Sequence, residues 1–338
     1  MRKFLIKILL FASPFFILFG IYLIADPFKV VHSYSSYFPE EGYVAVNPNF
    51  GYISTMNYKQ KVAKEDYNSF IFGNSRSVHF LIDDWKPYLP KDASCYHFNA
   101  DGESLYGMMK KMEYIDSIGG KLDNALIILD TYIIAKDKPE HGHLFQTPPE
   151  LENGQGKLQF QWLYVKAFFN TQFFFTWLDL SISGEIKPYM SRYYLISNEY
   201  IKYNSKTNEL REIGFEKDIA DGKYYTESRI QTFESESRNF CYNKIRTEQK
   251  QLLSQMAKIL KKQGTDYRII LCPTYDKVEM DKSDLETLYS IFDKERIFNF
   301  CGKNKYTTDY HNFYDPQHPR PITTRELLKK TYRPDQTE

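Results

Sequence analysis

Five short apolar runs, separated by loops and amphipathic stretches, constrain the fold of this chain more than any other feature. Residues 69–72 read as a buried strand, and residues 95–98 as a second that ends in Asn99-Ala100-Asp101-Gly102. Residues 125–129 form a third, of the continuous apolar kind expected at the centre of a parallel sheet, where both faces are covered. Residues 267–272, ended by Pro273, and residues 297–300 are the fourth and fifth. Helices lie between. Over 104–118, Met108, Met109, Met112, Ile115 and Ile118 fall on one face, and Gly119-Gly120 stops the helix. Over 247–263, Leu252, Leu253, Met256, Ile259 and Leu260 do the same, with Gly264 as the C-cap. Residues 284–292 predict a short helix and 323–332 a terminal one. Strands alternating with helices predict a parallel sheet covered on both faces, joined by right-handed crossovers.

The 338 residues suit one large α/β unit with additions. Arg2, Lys3 and Lys7 precede an apolar run over 8–25 that is long enough to cross a bilayer. The positive-inside rule then leaves the N-terminus in the cytoplasm and the remainder outside the inner membrane of a bacterium. A cleaved signal peptide is the rival reading. Leu23-Ile24-Ala25-Asp26-Pro27 matches a small-x-small cleavage site poorly, so an uncleaved anchor over 1–25 is expected. Residues 26–65, rich in Tyr, Pro, Gly and Asn, read as a linker or N-terminal extension, and 66–338 as the α/β domain. Within it, 135–240 breaks the strand–helix rhythm and reads as an aromatic-rich insertion, a lid or substrate wall. Its run from Phe173 to Leu180 is too short for a second span and is interrupted by Asp179.

A formal net charge of +1 gives no electrostatic case for nucleic acid as a partner. The 28 Tyr and 26 Phe fit either an aromatic-rich core or carbohydrate contact. Cys95, Cys241, Cys272 and Cys301 form no C-x-x-C, so zinc and thioredoxin-like readings have no support. Export permits disulfides, but the apolar runs around Cys95, Cys272 and Cys301 equally suit buried thiols. His141-Gly142-His143 offers two imidazoles without a matched cluster, so no metal is expected. No cofactor is expected either.

The first strand ends in Gly73-Asn74-Ser75, placing a hydroxyl at a strand's carboxyl end, where open α/β sheets bind ligands. Ser75 is a candidate nucleophile. It also reads as a turn serine capping the next helix. A serine needs a base within hydrogen-bond reach. Asp315-Pro316-Gln317-His318 supplies one, with His318 as base and Asp315 holding its other ring nitrogen. Asp309 and His311 are a competing pair.

Gly73-Asn74-Ser75 early and Asp315-x-x-His318 late resemble the SGNH/GDSL hydrolase superfamily, in the form of its membrane-anchored relatives that modify cell-envelope polysaccharides. The resemblance covers about 66–134 and 265–332 and implies a flavodoxin-like α/β/α fold with a Ser75–His318–Asp315 triad. It implies an oxyanion hole from the Ser75 and Gly102 amides. The third family block, normally Gly-x-Asn-Asp, is Leu129-Asp130-Thr131-Tyr132 here, so either Thr131 stands in as a donor, the hole has only two donors, or Asp130 has another role. Arg76 and Asp130 are candidate substrate-binding residues, or partners of one another. The expected activity is that of a serine esterase or O-acyltransferase working on acyl esters, acetyl foremost, of an envelope glycan. The partners would be that polysaccharide or an acyl donor, the membrane, and a membrane acyl-transfer protein. The alternative is a catalytically weak or inactive subunit that binds or assembles envelope polysaccharide. A phosphodiester or sulfate-ester hydrolase is a third and weaker reading.

Overall fold

The computed structural model describes residues 1–139, 141–193, 195–235 and 244–333. Ten strands occur among them: β1 (Glu41–Val46), β2 (Ser69–Gly73), β3 (Cys95–Asn99), β4 (Asn124–Leu129), β5 (Ile196–Asn204), β6 (Glu209–Arg211), β7 (Asp266–Leu271), β8 (Ile297–Asn299), β9 (Phe313–Asp315) and β10 (His318–Pro319). Five of them form one parallel sheet in the order β3-β2-β4-β7-β8. These are the five apolar runs of the sequence, each within a residue or two of its expected bounds.

Alternation along each strand sorts side chains to the two faces. Phe70 and Phe72, Ala125, Ile127 and Leu129, and Ile269 and Leu271 point to one side. There they meet the helices Leu105–Ser117, Thr247–Gln263 and Lys282–Ile291. Ile71, Leu126, Ile128 and Ile270 point to the other, against Ile82, Trp85, Leu327 and Leu328. With both faces covered, β4 is buried along its whole length, which is why it carries no polar alternation. Ile118 is the exception among the expected core positions: it lies past the end of its helix and is exposed.

Residues 26–65 are folded into the rest of the chain. The helix Phe50–Glu65 places Tyr58 in the main core, ringed by Tyr67, Phe70, Tyr96 and Phe98. β1 pairs antiparallel with β5 of the insertion, and β5 with β6. The turn between β5 and β6 covers the open edge of β3: His97 N–H donates to the Thr207 carbonyl at 2.9 Å, and Asn208 Nδ2 donates to the His97 carbonyl at 2.8 Å. The edge strand is thereby closed to pairing with another chain.

The N-terminal helix runs from Arg2 to Ala25, and its Ile6–Ala25 stretch is long and apolar enough to cross a membrane. Most of its side chains are exposed, but one in its last turn is not. Tyr22 is 1% exposed and packs in a second apolar cluster with Phe28, Phe168 and Phe173. Asp26 ends the helix in the left-handed region (φ 39°), and its carboxylate accepts from the N–H groups of Val30, Val31 and His32 and from the Tyr34 hydroxyl. Cys95, Cys272 and Cys301 are free thiols; Cys241 lies outside the described residues.

Candidate active site

β2 and β4 are neighbours in the sheet, and their following connections diverge, so the loops at their carboxyl ends flank a natural crevice. Gly73 closes β2 with no room for a side chain. A Cβ there would lie 2.5 Å from Ser77 Cβ and 3.1 Å from Ile128 Cβ. The chain then turns into a 3₁₀ helix, Ser75–His79, capped by Asn74, whose Oδ1 accepts the Arg76 N–H at 3.0 Å. Ser75 therefore opens the helix instead of capping it.

Far along the chain, β9 and β10 make a two-residue hairpin in which Asp315 faces His318. Asp315 Oδ1 accepts the backbone N–H groups of Gln317 and His318 at 2.8 and 3.0 Å, fixing the turn. The same carboxylate lies 2.7 Å from His318 Nδ1, and His318 Nε2 lies 2.9 Å from Ser75 Oγ. With Nδ1–H donated to Asp315, Nε2 is the free base facing the hydroxyl. Desolvation works to raise the Asp315 pKa, but the His318 ring and the two turn N–H groups outweigh it and hold the carboxyl at about 2. Asp309 and His311 also pair, 2.7 Å apart, but both are exposed and they do not meet Ser75.

Arg76 joins the two halves. Its Nε donates to the Gln317 carbonyl at 2.8 Å and its Nη2 to Gln317 Oε1 at 3.0 Å. Its Nη1 donates to Asp130 Oδ2 at 2.6 Å. Asp130 Oδ2 also accepts from Asn74 Nδ2, while Oδ1 caps the helix Thr131–Ala135 through the N–H groups of Tyr132 and Ile133. Both side chains are almost fully buried. Arg76 and Asp130, candidate substrate contacts in the sequence, are thus each other's partners. Four donors occupy the Asp130 carboxylate, so it holds loops together and presents no free charge to the crevice.

Gly102 lies in the turn after β3 in a left-handed conformation (φ 57°). Ser75 and Gly102 leave the carboxyl ends of adjacent strands, since Gly73 pairs with Asn99. Thr131 lines a neighbouring cleft of about 500 Å³ on the Arg76 side, with Tyr132, Cys272, Thr274 and Gln317. Among the described residues no group of three His, Cys, Asp or Glu is placed to hold a metal ion. His143 is packed among Phe28 and Tyr164, and desolvation lowers its pKa to about 4.

A second Ser–His contact lies one turn on and is built differently. Ser77 Oγ donates to the Asn74 carbonyl at 2.7 Å, so His97 Nε2, 3.0 Å away, is the donor to Ser77. Desolvation holds His97 near a pKa of 3. That pair fastens β3 to the 3₁₀ helix and leaves no lone pair aimed at a hydroxyl proton.

Sequence reasoning missed an acidic wall beside the base. Glu212, just after β6, has Oε2 3.9 Å from His79 Nε2, and the His79 ring is 6.1 Å from the His318 ring. His318 is one of the groups that act electrostatically on Glu199 of β5 and on Asp101. Desolvation, then repulsion from Asp101, raises Glu199 to about 7, and desolvation, then repulsion from Glu199, raises Glu212 well above the usual carboxylate range. Gln317 was missed as well, though it sits inside the Asp315-x-x-His318 motif. No protein-family model matches the sequence, and no curated protein matches it.

Proposed function

We propose that this protein is a serine esterase or O-acyltransferase of the SGNH type, acting on acyl esters, acetyl foremost, of a cell-envelope glycan. The observation that carries the reading is the continuous hydrogen-bonded chain from Ser75 Oγ through His318 to Asp315. The strand order β3-β2-β4-β7-β8 suits a flavodoxin-like assignment, because it is the doubly wound 2-1-3-4-5 order in the numbering of the parallel strands.

In this mechanism Ser75 Oγ attacks the acyl carbonyl as His318 Nε2 takes its proton, and Asp315 stabilises the imidazolium through Nδ1. The Ser75 and Gly102 amides would face the oxyanion, one such donor being worth about 2.7–4 kcal/mol in the transition state. His318 returns the proton to the departing sugar oxygen, leaving an acyl-Ser75 ester. Water or a sugar hydroxyl, deprotonated by His318, then takes the acyl group.

The helix Arg2–Ala25 is, in this reading, a retained anchor of the bacterial inner membrane, with the domain outside. Cleavage after Ala25 would pull Tyr22 out of an apolar cluster and free the N-terminus beside Asp26, which caps the helix. A fluorophosphonate probe on the purified full chain tests the chemistry. Labelling that disappears in Ser75→Ala and His318→Ala, with the circular dichroism spectrum unchanged, is expected. A folded chain that binds envelope glycan but takes no label would sink the enzyme reading in favour of a binding or assembly subunit.

A further inference from the structure

The insertion carries a pair of helices, Lys157–Phe168 and Thr171–Ser183, that lies against the N-terminal helix. Gln161 Nε2 donates to the Val30 carbonyl, just beyond the end of the N-terminal helix. Phe168 packs on Tyr22, and Phe169 stacks on Phe15 with ring centroids 5.4 Å apart. The first insertion helix therefore runs back alongside the N-terminal helix, and the turn at Phe169 reaches the level of Phe15. Phe15 is ten residues before Ala25, about 15 Å along a helix axis.

The second insertion helix has two apolar faces. Phe173 and Trp177 point inward, Phe173 stacking on Phe28 and Trp177 meeting Phe168 edge-on. Phe175, Leu178 and Ile182, spaced i, i+3, i+7, form the other face and are 62%, 36% and 78% exposed. Trp162 on the first helix is exposed too, with Lys166 Nζ over its ring, a pairing suited to the boundary of a bilayer. Asp179, the charge that interrupts the run, is bonded to Lys187 Nζ at 2.6 Å and to the Tyr189 hydroxyl. The N-terminal helix that the hairpin touches through Phe15 is itself exposed at Phe11, Phe16 and Ile17.

We propose that this helical hairpin docks into the lipid leaflet on the domain's side of the membrane, next to the anchor, as an interfacial element that does not span. The occupant is lipid because the hairpin packs, through Phe169 on Phe15 and Phe168 on Tyr22, against the middle and end of a helix long and apolar enough to cross a bilayer. The inference rests on the retained-anchor reading, and its test separates the two.

The full chain is reconstituted without other proteins into vesicles of phosphatidylcholine and phosphatidylglycerol, irradiated with a diazirine-bearing phosphatidylcholine, and mapped by peptide mass spectrometry. Adducts are expected on Trp162, Phe175, Leu178 and Ile182 at about tenfold the level on Ile322, an exposed apolar side chain on the helix Pro321–Tyr332. In the doubly substituted Phe175→Asp, Ile182→Asp chain, adducts on the hairpin should fall to the Ile322 level while those on residues 6–25 persist. Fluorophosphonate labelling and circular dichroism check that this variant is folded. Label confined to residues 6–25 in the unsubstituted chain overturns the lipid dock and leaves the anchor; it is also what a face built for a protein partner would give. No label on 6–25, or a mature chain lacking those residues, overturns both.

Discussion

Arg76 Nε donates to the Gln317 carbonyl at 2.8 Å, tying the residue after Ser75, the proposed nucleophile, to the residue before His318, the proposed base, across 241 positions of sequence. The same guanidinium pairs with Asp130, so one buried side chain fixes three loops: those after β2, after β4 and between β9 and β10. A distance as short as that between Ser75 and His318 depends on such a clamp, since about 1 Å of misplacement can cost about a hundredfold in rate.

Replacing Arg76 by Met should therefore damage stability as well as rate. It leaves the buried Asp130 carboxylate without its ion-pair partner, a loss of about 3–5 kcal/mol. Chemical denaturation measures it. A cost below about 1 kcal/mol would mean that the pair is not a structural clamp.

Asp315→Asn should keep the fold and lose the rate. The amide still turns the chain, but it no longer stabilises the imidazolium or selects the Nδ1–H tautomer, and the expected fall in ester turnover is about 10⁴-fold. Turnover of an acetyl ester, compared with that of Ser75→Ala, checks this. An unchanged rate would remove Asp315 from the mechanism.

Gly73→Ala probes the close approach behind the nucleophile. The new methyl must displace Ser77 or Ile128, and overpacking of this kind costs about 1–3 kcal/mol. Thermal melting should show the loss, and fluorophosphonate labelling should slow as the Ser75 turn shifts.

The acidic wall predicts a pH dependence of stability. Glu199, with a folded pKa raised to about 7 and an unfolded one of about 4.3, binds its proton more tightly in the folded chain. Its contribution is fully present below pH ~4.3 and is lost as the pH rises through about 7. Glu199→Gln, permanently neutral, should melt higher at pH 8, by about 1–2 °C for each 1 kcal/mol recovered in a chain of this length, and flatten the stability curve over that window. A melting temperature that responds to pH equally in both chains would contradict the assignment. Asp315 acts in the opposite sense: its stabilisation is present above the unfolded carboxyl range and is lost as the pH falls through about 2.

Local pattern carried the layered sheet. Runs such as residues 125–129 have one consistent solution, burial on both faces, and the Gly264 cap is written into the chain as a left-handed residue (φ 66°). Residues 26–65 and 135–240 were harder to read because their order comes from meeting each other: β1 has no partner until β5 arrives some 150 positions later. The helix Phe50–Glu65 is similarly hidden, because its buried face is held by tertiary contacts and not by a clean apolar stripe.

Short-range spacing and side-chain chemistry alone set the strand endings, the types of residue at the site and the apolar character of the first helix. Which groups meet was settled by long-range packing. It turned Arg76 and Asp130 toward each other, gave His318 to Ser75 and left His311 at the surface, and brought Glu199 and Glu212 from the insertion up to the base. Such pairings depend on how distant strands stack and on which charges are desolvated together, quantities that no local window of residues contains.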